Sequence, residues 1–171
     1  MANVSHSEPL PVTVRTATLD DVEDLIPLYA AFMRHDGVQP PAADELRRRL
    51  TRLLGSATDE VLVAHDDGDR ALGYLQQRYY YSVWRPDWDA YIEDLFVIEE
   101  ARGRRVGEAL LQAALQRAQA HGVARMCLDT SERNLRARRL YERLGFRNLN
   151  WDGSSQIYYS RLTERHQSVG G

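Results

Sequence analysis

The segment Arg102-Gly103-Arg104-Arg105-Val106-Gly107 limits what this chain can fold into more than any other stretch. Before it, Tyr91 to Ile98 has the length and apolar content of a strand buried on both faces. After it, Gly107 to Ala120 carries apolar residues at helical spacing, and Gly122 suits the helix stop. A strand hidden on both faces needs a layer over each, so a layered α/β or α+β domain with this strand near its centre is predicted. The turn lies where anions bind well: the first N–H groups of a helix lack partners inside it, the helix dipole is positive there, and glycine lets a ligand approach the backbone. Alone, the same residues equally describe a charged loop facing solvent, so their neighbours must decide.

The rest of the chain supplies the layers. Residues 12 to 18 alternate and are rich in β-branched side chains, which predicts a strand; Asp20 and Glu23 resemble a helix-capping pair. Val22, Leu25, Ile26, Tyr29, Phe32 and Met33 then mark a helix running to Gly37, with a kink expected at Pro27. Beyond Pro40 and Pro41, Leu46, Leu50, Leu53 and Leu54 mark a second helix, whose Arg47, Arg48, Arg49 and Arg52 read as a solvated face. Val61 to Ala64 and Ala71 to Tyr80 are strand-like runs joined by Asp66-Asp67-Gly68-Asp69, a hairpin turn. After an aromatic loop around Trp84, Pro86 and Trp88 come the central strand, its helix and a short strand at Met126 to Leu128. A helix over Asn134 to Leu144, stopped by Gly145, and a strand over Ser155 to Leu162 close the chain.

With 171 residues, a single domain is expected, its core spanning about 12–162 between frayed termini at 1–10 and 164–171. A formal net charge of -3 gives no general attraction to polyanions, so nucleic acid is not an expected partner. No stretch approaches the roughly 20 apolar residues of a membrane span, and the first residues lack a basic and then apolar pattern. A cytoplasmic protein without a membrane partner is therefore expected. Cys127 is the single cysteine, which excludes an internal disulfide and a thiolate zinc site; in its apolar strand it reads as a buried hydrophobe.

Two further features could carry chemistry. Glu93 and Asp94 stand side by side in the buried strand Ile92-Glu93-Asp94-Leu95-Phe96-Val97, and buried acids are costly unless paired or used. Regular alternation would put them on opposite faces, one of them toward a substrate; each also reads as a carboxylate at an exposed strand end or one bonded to backbone. In Asn134-x-x-Ala137-x-x-x-Tyr141-x-x-x-Gly145-Phe146, Ala137, Tyr141 and Leu144 share a helix face, where a tyrosine either packs or offers a proton.

Together, Glu93 to Val97, the Arg102 to Gly107 loop and the Asn134 to Phe146 helix resemble the three signature regions of the GNAT N-acetyltransferase superfamily, and Val14 to Thr18 resembles its first strand. The resemblance implies a GNAT-like mixed, mostly antiparallel central sheet with helices on both faces, acetyl-CoA as co-substrate, and no metal. Ile92 to Val97, Arg102, Gly107, Asn134 and Tyr141 most resemble the spermidine/spermine and related diamine acetyltransferases. A primary amine with a pKa of about 10.4 must lose a proton before attacking a thioester. The likeness gives that step to Glu93, directly or through water, and the protonation of the departing thiolate to Tyr141. Leu95, Phe96, Val97, Arg102, Gly103, Arg104, Arg105, Val106, Gly107, Glu108 and Asn134 are expected around the coenzyme, with a backbone N–H of Leu95 to Val97 on the acetyl oxygen. His35, Asp36, Tyr81 and Asp94 are expected to contact a small-molecule amine, and for a polyamine Asp87 and Asp89 would join the acids. A homodimer is expected, as among relatives. One departure stands out: Arg105 replaces the first glycine of the family's loop.

Alternatives within the superfamily are an aminoglycoside, an amino acid or a protein N-terminus as acceptor. From another class, a non-catalytic acyl-CoA-binding regulatory domain would keep the loop but lack acid and base. Nucleotide-binding glycine patterns are absent from the sequence, and Arg133, Arg136, Arg138, Arg139 and Arg143 read as a solvated helix rather than an RNA surface.

Overall fold

The computed structural model describes residues 11–83, 87–149 and 153–156. The chain divides into two compact units, Met1–Leu128 and Asp129–Gly171. The first contains β1 (Thr13–Thr16), α1 (Val22–His35), α2 (Ala43–Leu54), β2 (Asp59–His65), β3 (Ala71–Tyr81), β4 (Trp88–Val97), α3 (Val106–Ala120) and β5 (Val123–Leu128). These strands form one sheet in the order β1-β2-β3-β4-β5, antiparallel except for the parallel pair β4–β5. The predicted mixed, mostly antiparallel sheet is observed.

Alternation along the strands assigns each face its helices. Val61, Val63, Tyr74 and Phe96 point to one side, where they pack with Val22, Leu25, Leu28 and Tyr29 of α1 and Leu46 and Leu50 of α2. On the other side Tyr79 and Ala90 meet Ala118 of α3. Helices therefore cover both faces, and the heptad-like leucines of α2 do what their spacing promised. The outer face of α2 carries ion pairs of Arg47 with Glu23 and Asp44, and of Arg48 and Arg49 with Glu45, all exposed, as a solvated face should.

Some expectations change. The cap of the first helix is not Asp20 with Glu23. Instead Asp21 accepts from the Thr18 backbone N–H at 2.6 Å and takes a two-point ion pair from Arg15, at 2.6 and 2.8 Å. That pairing holds the Asp21 carboxyl far below the usual carboxylate range, and it ties β1 to the start of α1. α1 continues through Pro27, which lies on its exposed side. Cys127 is half-buried rather than buried.

The second unit holds α4 (Leu135–Arg143) and an isolated bridge between Leu149 and Ser155. Asn134 is the N-cap of α4, its Oδ1 accepting from the Ala137 N–H at 3.2 Å. Gly145 takes a positive φ of 88° just past the helix, as a stop glycine does. Of the expected closing strand, residues 157–162 lie outside the described residues. Among the described residues, no helix is long and apolar enough to cross a membrane.

Candidate active site

The register of β4 explains how the site is laid out. Gln76 pairs with Asp94 and Gln77 with Ile92, so Glu93 is an extra residue, a β-bulge. A bulge resets the alternation. Ala90, paired with Tyr79, faces α3, whereas Phe96, paired with Tyr74, faces α1. The two acids consequently do not point to opposite faces as regular alternation predicted. Glu93 pairs with Arg78 at 3.1 Å, and Asp94 lies 3.5 Å from the Tyr74 hydroxyl, which donates to it. Arg78 and Tyr74 alternate on the α1 face of β3, so both carboxylates are on that face.

The same bulge marks where β4 loses its parallel neighbour. β5 pairs with β4 only from Trp88 to Ile92. From Glu93 to Val97 the strand has no β5 partner, so among the described residues alternate backbone amides of the Leu95 to Val97 stretch have no strand partner on that edge. Close approach on the other edge is needed as well: a Cβ at Gly73 would lie 2.4 Å from the Phe96 carbonyl oxygen.

Asp94 is the acid with the altered proton affinity. Burial, reinforced by the neighbouring charge of Glu93 and by Asp36, pushes its carboxyl up to about 6, against a smaller opposing effect of the Tyr74 hydroxyl. Tyr74 stacks on Tyr29 with ring centroids 4.0 Å apart, and Tyr29 donates to Gln76 Oε1 at 3.0 Å. Burial pushes both phenols well above their usual value, so they remain donors. Asp36, just past α1, acts on Asp94 only through its charge; His35 ends α1 and is exposed.

At the C-terminal end of β4 the loop turns into α3. Arg102 does not project over the helix start. Its Nε donates to the Val97 carbonyl at 3.0 Å and its guanidinium lies over the Phe96 ring at 5.7 Å. Gly103 and Arg105 both take positive φ, 85° and 65°. Arg105 therefore keeps the left-handed backbone that a glycine would adopt freely, at a cost of roughly 1–2 kcal/mol. It is the N-cap residue of α3, and its own side chain makes no capping bond; the Ala109 N–H bonds back to the Arg105 carbonyl at 3.0 Å. Buried Val106 anchors the turn, while Arg105 is exposed and Gly107 and Glu108 are partly exposed. A helix start whose N-cap side chain makes no capping bond, preceded by two left-handed residues, presents backbone N–H groups suited to an anion.

Other expected residues of the first unit lie toward the hairpin end of β3 and β4. Tyr81 pairs with Trp88 at the hairpin end, edge to face at 5.9 Å. Five residue steps along β4 from Trp88 to Glu93 separate it from the acids by about 17 Å at roughly 3.3 Å per residue. Asp89 is 1% exposed and paired with Arg125 at 3.1 Å, and Asp87 is exposed beside the hairpin, so neither joins Glu93 and Asp94. In the second unit, Tyr141 is half-buried against Phe146, with ring centroids 6.1 Å apart. Burial, with the charge of Asp129, raises its hydroxyl above the ordinary phenol value. Asn134 spends its carbonyl oxygen on the helix cap.

Arg78, Asp59, Tyr74 and Tyr29 surround the acids yet carried no sequence signal of their own. Their relation to Glu93 and Asp94 depends on strand register, and a bulge is not legible from residue types.

Comparison with known proteins agrees with the geometry. The model of the acetyltransferase (GNAT) family matches residues 22–146. An uncharacterized N-acetyltransferase of Archaeoglobus fulgidus is 30% identical over 132 residues, covering 75% of this chain and 88% of the relative. A mycothiol acetyltransferase of Propionibacterium freudenreichii subsp. shermanii is 28% identical over 99% of this chain, which spans about half (53%) of that relative's length. An L-methionine sulfoximine/L-methionine sulfone acetyltransferase of Pseudomonas paraeruginosa is 35% identical over 89 residues, 50% of this chain and 49% of the relative. A crystal structure from Arthrobacter sp. FB24, provisionally described as an acetyltransferase, superposes with a TM-score of 0.79 at 30% identity, covering 95% of this chain and 99% of that one. With the family model spanning most of the chain and the sheet, the bulged strand and the turn into α3 arranged as described, this protein is a member of the GNAT family of acetyltransferases.

Proposed function

We propose that this chain moves the acetyl group of acetyl-CoA to the amine of a small molecule by direct attack, within a single catalytic domain. The observation that carries the reading is the bulge at Glu93, which sets two carboxylates on one face of β4 where that strand parts from β5. Acetyl-CoA supplies the thioester. Its diphosphate belongs on the amides that open α3, with Arg104, Arg105 and Glu108 around it, and its acyl end beside Leu95 to Val97.

The acceptor arrives as an ammonium ion, attracted by Glu93, Asp94 and Asp36. The Glu93–Asp94 pair takes its proton; with an affinity near 6, Asp94 is ionised at neutral pH yet a better proton acceptor than an ordinary aspartate. The freed amine attacks the acetyl carbon while a backbone N–H of Leu95 to Val97 meets the charge growing on the oxygen. As the C–S bond breaks, Tyr141, kept protonated by its burial, donates to the sulfur, while the nitrogen sheds its second proton to solvent, from which the tyrosine regains its own. Its assignment rests on the family resemblance.

The acceptor class remains the finer part of the reading. The likeness of Ile92 to Val97 to diamine acetyltransferases favours a diamine, whereas the methionine sulfoximine relative favours an amino-acid-like amine. Asp87 and Asp89 give a polyamine no support. Exposed Tyr81, Val83 and Trp88 at the hairpin end support a homodimer, and the reading includes a cytoplasmic setting.

A thiol-release assay with acetyl-CoA and a panel of diamines, amino acids and aminoglycosides tests this. Glu93→Gln, Asp94→Asn and Tyr141→Phe should each lower kcat, the base variants by roughly 10²–10⁴-fold. Wild-type rates in all of them, or no binding of acetyl-CoA by calorimetry, would sink the reading.

A further inference from the structure

The helical cover on the α1 face of β3 ends between Gln76, which is buried, and Arg78, whose side chain is 50% exposed. Arg78 therefore stands at the mouth of the acidic site. Its Nε donates to Asp59 Oδ1 at 2.9 Å, and Asp59 is itself fixed by the Ser56 hydroxyl, which donates at 2.6 Å. The other edge of the guanidinium reaches Glu93, with Nη1 to Oε1 at 3.1 Å. One side of Arg78 is anchored and the other holds, across an exposed contact, the carboxylate assigned to the amine.

We propose that this ion pair is the lock of an α-amino acid site: the acceptor's carboxylate takes the edge of Arg78 that now faces Glu93, and its ammonium takes the place that Arg78 gives up at Glu93. The inference rests on the reading of Glu93 and Asp94 as the place where the amine is deprotonated. Its physical basis is a count of charges. Before binding, among the described residues, Arg78 pairs with Asp59 and Glu93, and Glu93 pairs with Arg78. A zwitterion entering between them gives each charged group a new partner of opposite sign and leaves the net charge of the site unchanged. A diamine bound at Glu93 offers Arg78 no carboxylate and adds a positive charge beside its guanidinium. Arg78 also suits the task by shape, since a guanidinium edge matches a carboxylate in a two-point contact that a lysine cannot make. The pair would aim the amine as well, because a carboxylate held at Arg78 leaves the neighbouring amino group only a short reach toward Glu93 and Asp94.

The test compares matched substrates in the thiol-release assay with acetyl-CoA: L-amino acids, their carboxamides, and 1,4-diaminobutane, on wild type, Arg78→Met and Arg78→Lys. Wild type should favour an amino acid over its own carboxamide by about tenfold or more in kcat/KM, the factor that corresponds to about 1.4 kcal/mol. In Arg78→Met that ratio should fall to near one, chiefly through a raised KM for the acid, and Arg78→Lys should restore part of it. Circular dichroism establishes that the variants fold. Equal use of acid and carboxamide by wild type, a preference for the diamine, or an unchanged ratio in folded Arg78→Met overturns the amino-acid site while leaving the acetyltransfer reading intact. Failure of wild type to acetylate any amine overturns both.

Discussion

Replacing Asp94 by asparagine should stabilise the fold at neutral pH while harming its chemistry. Asp94 sits beneath Tyr74, beside Glu93 and within reach of Asp36 and Tyr29, and its carboxyl is raised from an ordinary 3.8 to about 6. The shift is about two units, and at 1.36 kcal/mol each the ionised side chain costs the fold on the order of 3 kcal/mol. The sign runs opposite to that of a salt-bridged acid. The folded protein binds this proton more tightly than the unfolded chain, so the penalty is absent below about pH 4, grows between 4 and 6, and is complete above 6. Asparagine mimics the neutral form in shape and never ionises. Urea unfolding followed by circular dichroism should therefore show Asp94→Asn more stable than wild type by about 2–3 kcal/mol at pH 8, with the gap closing toward pH 4. A gap that does not vary with pH, or a variant less stable than wild type at pH 8, would refute the assignment of strain to the buried charge.

Three other perturbations have expected results. Glu60 is 8% exposed; burial raises its proton affinity, but donors on Tyr79, Gln77, Arg117 and Thr16 outweigh burial and hold it below its usual value. Glu60→Gln should cost about 2–4 kcal/mol in urea unfolding at pH 7, a loss that shrinks as pH falls below about 4. Gly73→Ala forces a Cβ to within 2.4 Å of the Phe96 oxygen; thermal unfolding should report a loss of about 1–3 kcal/mol. Asn134→Ala removes the cap of α4 and should lower stability by about 1 kcal/mol, with helical signal reduced at elevated temperature.

Much of the fold was readable because its signals are local. The hairpin turn at Asp66 to Asp69, the leucine stripe of α2 and the stop glycines Gly122 and Gly145 each depend on a few adjacent residues, and each element appears near its expected place. The loop from Arg102 to Gly107 was readable for the same reason, down to the departure at Arg105. What the turn does with that departure was not: only the backbone reveals that Arg105 keeps the left-handed conformation. Strand ends were also drawn short, since β4 begins at Trp88 and β5 at Val123, where pairing rather than composition extends them.

The sequence by itself determined the family, the order of the elements and the presence of paired acids, a glycine- and arginine-rich turn before a helix and a tyrosine on the last described helix. These follow from residue types at short spacings, where steric and hydrogen-bonding preferences act between near neighbours. Tertiary structure alone decided which groups meet. The extra residue at Glu93 turns both acids to one face, brings Arg78 against one of them and leaves the other half-buried against the Tyr74 hydroxyl. Strand register is settled by the summed packing of whole faces, so the chemistry of the acids is a property of the sheet.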